Sequence, residues 1–143
     1  MIRMMLISTA ALLAGIGAIQ AAELSIDVAG VRDAKGKVMV ALHEQAGGVK
    51  FPDTTGAIAA QWRKAEPGTM RFVFPGLTPG QYAVAVYHDE NSNGEMDTNM
   101  LGMPSEGYGF SNEAEGSMGP PSFADAAVNL ADGAVETKTT LGY

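Results

Sequence analysis

The sequence predicts an all-β protein, a single antiparallel β-sandwich of about seven strands with one long ordered loop. Three observations predict it. Apolar residues recur at every second position in several short runs, the period of a half-buried strand. Clusters of Gly, Pro, Asp and Asn separate the runs, as turn residues do. No heptad or internal repeat is present, and seven short strands punctuated by turns are the pattern of a sandwich.

The elements follow in order. Met1 to Ala22 reads as a secretory signal. Arg3 supplies the positive start, Met4 to Ile19 is interrupted only by Ser8 and Thr9, and Gln20-Ala21-Ala22 offers small residues for cleavage after Ala21 or Ala22. The apolar run is short for a membrane span and has no basic stop-transfer flank. The expected domain is therefore 23–143, a size that supports one core. Leu24, Ile26 and Val28 alternate with Ser25, Asp27 and Ala29 in a first strand. Asp33-Ala34-Lys35-Gly36 reads as a hairpin turn into a second, where Val38, Val40 and Leu42 take the apolar positions. Ala57 to Lys64 has an Ala-rich composition that also permits a helix, and its neighbours make it a strand. Met70, Phe72 and Phe74 define the fourth strand, and Tyr82, Val84 and Val86 the fifth, joined by the turn Pro75 to Gly80. Ser122 to Leu130 and Ala134 to Leu141 flank Ala131-Asp132-Gly133 and read as a closing hairpin.

Composition narrows the partners. The formal net charge is −7, and removal of residues 1–22 takes one cation (Arg3) and no acid, leaving −8. A chain this acidic is a poor partner for nucleic acid or anionic membrane, and no membrane span is expected after signal cleavage. Cysteine is absent. Disulfides and a cysteine-linked lipid anchor are therefore not expected, and stability must come from packing or a bound ion.

One segment, 89–121, breaks the strand rhythm. Structureless loops beyond ~12–15 residues are uncommon and usually functional or disordered. This one opens with Asp89-Glu90-Asn91-Ser92-Asn93-Gly94-Glu95-Met96-Asp97. Oxygen-bearing side chains stand at every second position, and Gly94 permits a sharp turn. Counted from Asp89 as position 1, Asn91, Asn93, Glu95 and Asp97 occupy 3, 5, 7 and 9 of a calcium loop, and Gly94 is the glycine at 6. Such an oxygen-rich set suits a hard cation, so Ca²⁺ is the expected cofactor, with Asp89, Asn91, Asn93, Glu95 (through its carbonyl) and Asp97 as metal ligands. Position 12 is Met100 rather than a bidentate Glu, and no helices flank the loop, so this is not an EF-hand. Glu106 or a backbone carbonyl is the expected replacement. The competing reading is an Asx-rich turn without an ion.

The same segment carries a longer signature. His88-Asp89-Glu90-Asn91, Asn93-Gly94 and Asp97-Thr98-Asn99 are followed by Gly102, Pro104 and Glu106. Gly107-Tyr108-Gly109-Phe110-Ser111-Asn112 and Gly119-Pro120-Pro121-Ser122-Phe123 come next, with Leu77 to Val84 upstream. This string resembles an uncharacterised family of exported bacterial proteins, a domain of unknown function. The resemblance implies a transthyretin- or immunoglobulin-like sandwich and a periplasmic or secreted location. It carries no assigned activity.

His88, Glu106, Tyr108 and Phe110 make up a possible ligand surface around the loop. An aromatic ring between glycines can stack on a sugar or peptide, as can Trp62, or fold back as core. His88 and His43 stand at strand ends, where a metal or proton-transfer role competes with simple hydrogen bonding. No catalytic residues are expected: Ser105, Ser111 and Ser122 lack a G-x-S-x-G context and there is no H-E-x-x-H. The expected function is a non-catalytic binding or interaction module of the cell envelope, engaging a protein, peptide or glycan. The alternative is a hydrolase-like envelope enzyme using the loop carboxylates or His88.

Overall fold

The alternating runs form strands packed as two sheets in the computed structural model, which describes residues 21–45 and 50–143. Residues 1–20 of the expected signal lie outside the described residues. In chain order the strands are β1 (Ala22–Val31), β2 (Lys37–Glu44), β3 (Ala59–Lys64), β4 (Gly68–Leu77), β5 (Gly80–Asp89), β6 (Gly107–Phe110), β7 (Val128–Leu130) and β8 (Ala134–Thr140). One sheet has the order β4-β1-β8. The other runs β3-β2-β5-β6, and β7 pairs with β5 at Gly80 to Tyr82, beyond the stretch that β6 occupies. All pairings are antiparallel except β1 with β8, which is parallel from Glu23↔Ala134 to Ala29↔Thr140. The protein is an all-β sandwich, as the period-two runs predict.

The three short turns do not make hairpins within a sheet, and this corrects the expected local pairing. Asp33 to Gly36 carries the chain from β1 in one sheet to β2 in the other. The turns before β5 and before β8 likewise cross between sheets. The reason lies in β1, which has β4 on one side and β8 on the other and so keeps no free edge for β2. Two other expectations shift. The run 122–130 is a strand only at Val128–Leu130, because Ser122 accepts from the Asp125 N–H and caps a one-turn helix, α1 (Phe123–Ala126). The long loop is interrupted by β6, whose Gly-Tyr-Gly-Phe sequence is too short and glycine-rich to show a strand period.

Alternation places the core. Leu24, Ile26 and Val28 with Met70, Phe72 and Phe74 face Val38, Val40, Leu42, Tyr82, Val84 and Val86, and all are buried. These side chains interdigitate between the sheets and supply most of the folding free energy, about 1.5–3 kcal/mol for each large one. A smaller cluster covers the outer face of the second sheet, where Phe51 meets His43, Phe110 and Phe123 edge to face over Ala83. At the open side of the sandwich, Gln61 and Arg63 of β3 donate to the Val73 and Arg71 carbonyls of β4. Side chains thus satisfy an edge that could otherwise recruit a foreign strand. Among the described residues no helix is long and apolar enough to cross a membrane.

Candidate functional site

β5 delivers Asp89 to the end of the second sheet, and the chain leaves the strand there in a series of Asx turns. The Asn91 side-chain oxygen accepts from the Asn93 N–H at 3.1 Å, and that of Asn93 accepts from the Glu95 N–H at 2.9 Å. Each such bond reaches two residues ahead and curls the backbone. Asp89, fully buried, closes the curl: Oδ1 accepts from Asn93 N–H at 3.1 Å and Oδ2 from Gly94 N–H at 2.9 Å. Gly94 sits at φ +80°, the left-handed conformation that the turn requires. Asp97 then folds back, its two oxygens accepting from the Asn91 and Asn93 amides. Asp89, Asn91, Asn93 and Asp97 therefore lie in one hydrogen-bonded knot.

Glu106 locks the base of this loop. Its Oε1 accepts from Glu90 N–H at 3.0 Å and its Oε2 from Asp97 N–H at 3.2 Å, so one side chain ties the start of the loop to its return. Burial pushes its carboxyl pKa up. The Asp97 N–H bond opposes that shift, the charge of Asp97 adds to it, the Glu90 N–H bond opposes it again and Asp89 adds further. The loop closes on itself at the Thr98↔Pro104 bridge. Below it, the Tyr87 hydroxyl donates to the Gly94 carbonyl at 3.0 Å, and burial followed by the charges of Asp89, Glu106 and Glu95 raises the Tyr87 pKa. Lys37, opposite Asp89 on β2, brings its Nζ to 4.0 Å from Asp89 Oδ2. Gly36, at φ +62°, lets the β1–β2 turn press against the loop, since a Cβ there would lie 1.9 Å from the Asp89 carbonyl oxygen.

His88 is fully buried and does not belong to a surface. Its Nε2 stands 2.7 Å from the Lys35 carbonyl, which can only accept, so Nε2 carries a proton. With the proton there, Nδ1 accepts from the Tyr143 hydroxyl at 2.8 Å, and that oxygen accepts from the Arg32 N–H at 3.2 Å. The Arg32 guanidinium stacks 4.2 Å from the Tyr143 ring centroid and pairs with Glu90 at 2.6 Å. Glu90 thus points away from the knot. Asp33, His88 and Glu90 each place one ligand-type atom within 4.8 Å of the others, but both ring nitrogens of His88 already have partners.

The remaining expected surface residues divide. Phe110 is buried in the outer cluster, Glu106 is 5% exposed, and only Tyr108, 38% exposed, presents a ring to solvent. Trp62 is 62% exposed on the edge strand β3, with Lys37 Nζ 5.1 Å from its ring. His43 does not meet His88. It lies in the Phe51 cluster with Nε2 bonded to the Asp53 carbonyl, and its Nδ1 has no partner among the described residues.

The loop and its supporting strands fall within a single comparison. The family model described as "uncharacterized protein conserved in bacteria" (DUF2141) matches residues 26–138. The chain belongs to this family. The DUF2141 match runs from within β1 to within β8, so the loop is part of the domain rather than an addition to it. Searches against curated proteins and against solved structures return no match for this DUF2141 chain. Three residues that complete the site escaped the sequence reading. Lys37 joins Asp89 only through the β2–β5 register. Tyr143 and Arg32 reach His88 from distant parts of the chain, and no local spacing announces such contacts.

Proposed function

We propose that this domain is an exported, non-catalytic binding or interaction module of the bacterial cell envelope, and that calcium organises its loop 89–106. The observation that carries the calcium reading is the convergence of Asp89, Asn91, Asn93 and Asp97 on one another, with the Asn93, Gly94 and Glu95 N–H groups taken by side-chain oxygens. Each Asn side-chain oxygen accepts one backbone N–H and keeps a second lone pair, so Ca²⁺ at the knot takes that lone pair and the Asp97 oxygens in place of the Asn91 and Asn93 bonds to Asp97. The non-catalytic reading is supported by what the acids and histidines already do. Glu106 holds two backbone N–H groups, and both nitrogens of His88 are hydrogen-bonded out of reach of solvent.

Without an acid at position 12, affinity falls in the weak class of extracellular modules, with a Kd of ~10⁻⁴–10⁻³ M. At a tenfold excess over that constant calcium stabilises the native state by about 1.4 kcal/mol, a rise in Tm of roughly 3–6 °C for a domain of this size. Mg²⁺ does less, because it surrenders its waters reluctantly. Asp89→Ala abolishes the rise and Glu90→Ala keeps it. Identical melting curves in chelator and in millimolar calcium would remove calcium from the reading.

A further inference from the structure

The second sheet ends at β3, and that edge is open. Among the described residues β3 pairs only with β2. Ala65 N–H bonds to the Gly36 carbonyl just beyond the strand, so the bonded pairs of the regular register fall at Val38↔Arg63 and Val40↔Gln61. The alternate residues Ala60, Trp62 and Lys64 turn their N–H and C=O groups away from β2, where no backbone partner meets them among the described residues. The side chains of Gln61 and Arg63 do not close this edge. They share the core face with Val40 and Val38 and reach across to carbonyls of β4, which leaves the lateral side of β3 clear. Every β3 residue except Gln61 is exposed.

The side chains along this edge are chemically specific. Trp62 and Lys64 lie on the outer face of the sheet, opposite Met39 and Lys37 of β2. Trp62, the one tryptophan of the chain, is 62% exposed, and Ile58, just before the strand, is 51% exposed. Both are large apolar groups on a strand with a neighbour on one side only. Lys37 and Lys64 stand directly opposite each other, a like-charge pair that costs stability within a sheet. Lys64 has no ion-pair partner among the described residues. The partner of Lys37 is Asp89 at 4.0 Å, whose two oxygens already accept backbone N–H groups. A positive edge on a chain of formal net charge −7 decides what it fits. A second copy would bring the same lysines to the junction, whereas an acidic strand neutralises them. We propose that the free edge of β3 takes up an extended acidic peptide segment as an added antiparallel strand. The peptide backbone bonds to Ala60, Trp62 and Lys64, an apolar residue packs beside Trp62, and a carboxylate stands opposite Lys64. This names a partner class for the binding module above, rests on that reading, and does not depend on the calcium loop.

The test uses the full mature domain, in EDTA and again in calcium, with three end-capped peptides. These are Glu-Thr-Val-Thr-Val, Lys-Thr-Val-Thr-Val, and the first peptide N-methylated at its central Val. In an antiparallel addition the first side chain stands opposite Lys64 and the central Val opposite Trp62. Trp62 emission, the only tryptophan signal of the chain, and hydrogen exchange of the Ala60, Trp62 and Lys64 amides are the readouts. The Glu peptide should shift the emission to shorter wavelength and slow exchange at all three amides, in EDTA as in calcium. The Lys peptide should bind at least about tenfold more weakly, because like charges across an interface are costly, and Lys64→Gln should narrow that gap. N-methylation removes the donor that faces the Trp62 carbonyl and should abolish binding. Ala60→Pro should do the same with Tm little changed, since the N–H it removes faces away from β2 and proline is tolerated at such an edge position. Emission and exchange that ignore the Glu peptide, equal binding of the Glu and Lys peptides, or full binding of the N-methylated peptide would overturn the proposal. So would a peptide-free dimer in sedimentation that Ala60→Pro dissolves, because the edge would then belong to a second copy. A peptide failure with the calcium-dependent Tm rise intact would strike this edge alone.

Discussion

Tyr143→Phe isolates a single hydroxyl. The phenyl ring remains, so the stack with Arg32 and the edge contact with His88 are kept. What disappears is the donor to His88 Nδ1 and the acceptor for the Arg32 N–H. Arg32 is exposed and can turn to water, but His88 is fully buried. The cost is therefore that of one buried acceptor left without a donor, about 1–3 kcal/mol. For a domain of this size that lowers Tm by roughly 4–12 °C. Differential scanning calorimetry on wild type, Tyr143→Phe, His88→Leu and the double variant measures it. Once His88 is Leu, the hydroxyl has no buried partner, so Tyr143→Phe should then cost almost nothing, and the cycle should show a coupling of about 1 kcal/mol or more. Additive effects, or a single-variant change within about 1 °C, would refute the reasoning by showing that water satisfies the ring as well as Tyr143 does.

Gly36→Ala should lower Tm and slow folding of the loop: positive φ costs the new Cβ about 1–2 kcal/mol, and the 1.9 Å approach to the Asp89 carbonyl forces the turn away. Phe72→Ala, which empties a 1%-exposed core position, should cost about 3–5 kcal/mol in chemical denaturation. The Glu106 carboxyl has its folded pKa raised above the unfolded value. Its contribution without calcium is therefore favourable at low pH and is lost as pH rises from the ordinary carboxylate value through the raised one. Calcium favours the ionised form, so the Tm difference between calcium and chelator should widen upward through that window, and a pH-independent difference would argue against Glu106 facing the ion. On export, N-terminal sequencing should find Ala22 first, since Ala22 is a fully buried residue of β1 and cleavage after Ala21 preserves it.

Strand positions were legible because burial on one face writes a period of two into the chain. The Asx loop was legible because its hydrogen bonds are local: Asn91 to Asn93 and Asn93 to Glu95 are two-residue contacts. Pairing was not. Asp33 to Gly36 signals a reversal of direction, and the same residues would serve a hairpin or a crossing between sheets. The side of β1 that β2 would have taken is occupied by strands encoded much later. The aromatic terminus was equally silent, because nothing near Tyr143 indicates the buried imidazole it meets.

The parallel pairing of β1 with β8 has a kinetic consequence. The central strand of one sheet is completed by a strand from the opposite end of the domain. No N-terminal portion of the chain can bury both edges of β1 before β8 arrives. Such long-range closure must be reached before it is rewarded, so the domain should fold late and cooperatively, with high contact order. Until then the open edge of β1 is adhesive. A chain with this topology gains from being complete before it folds.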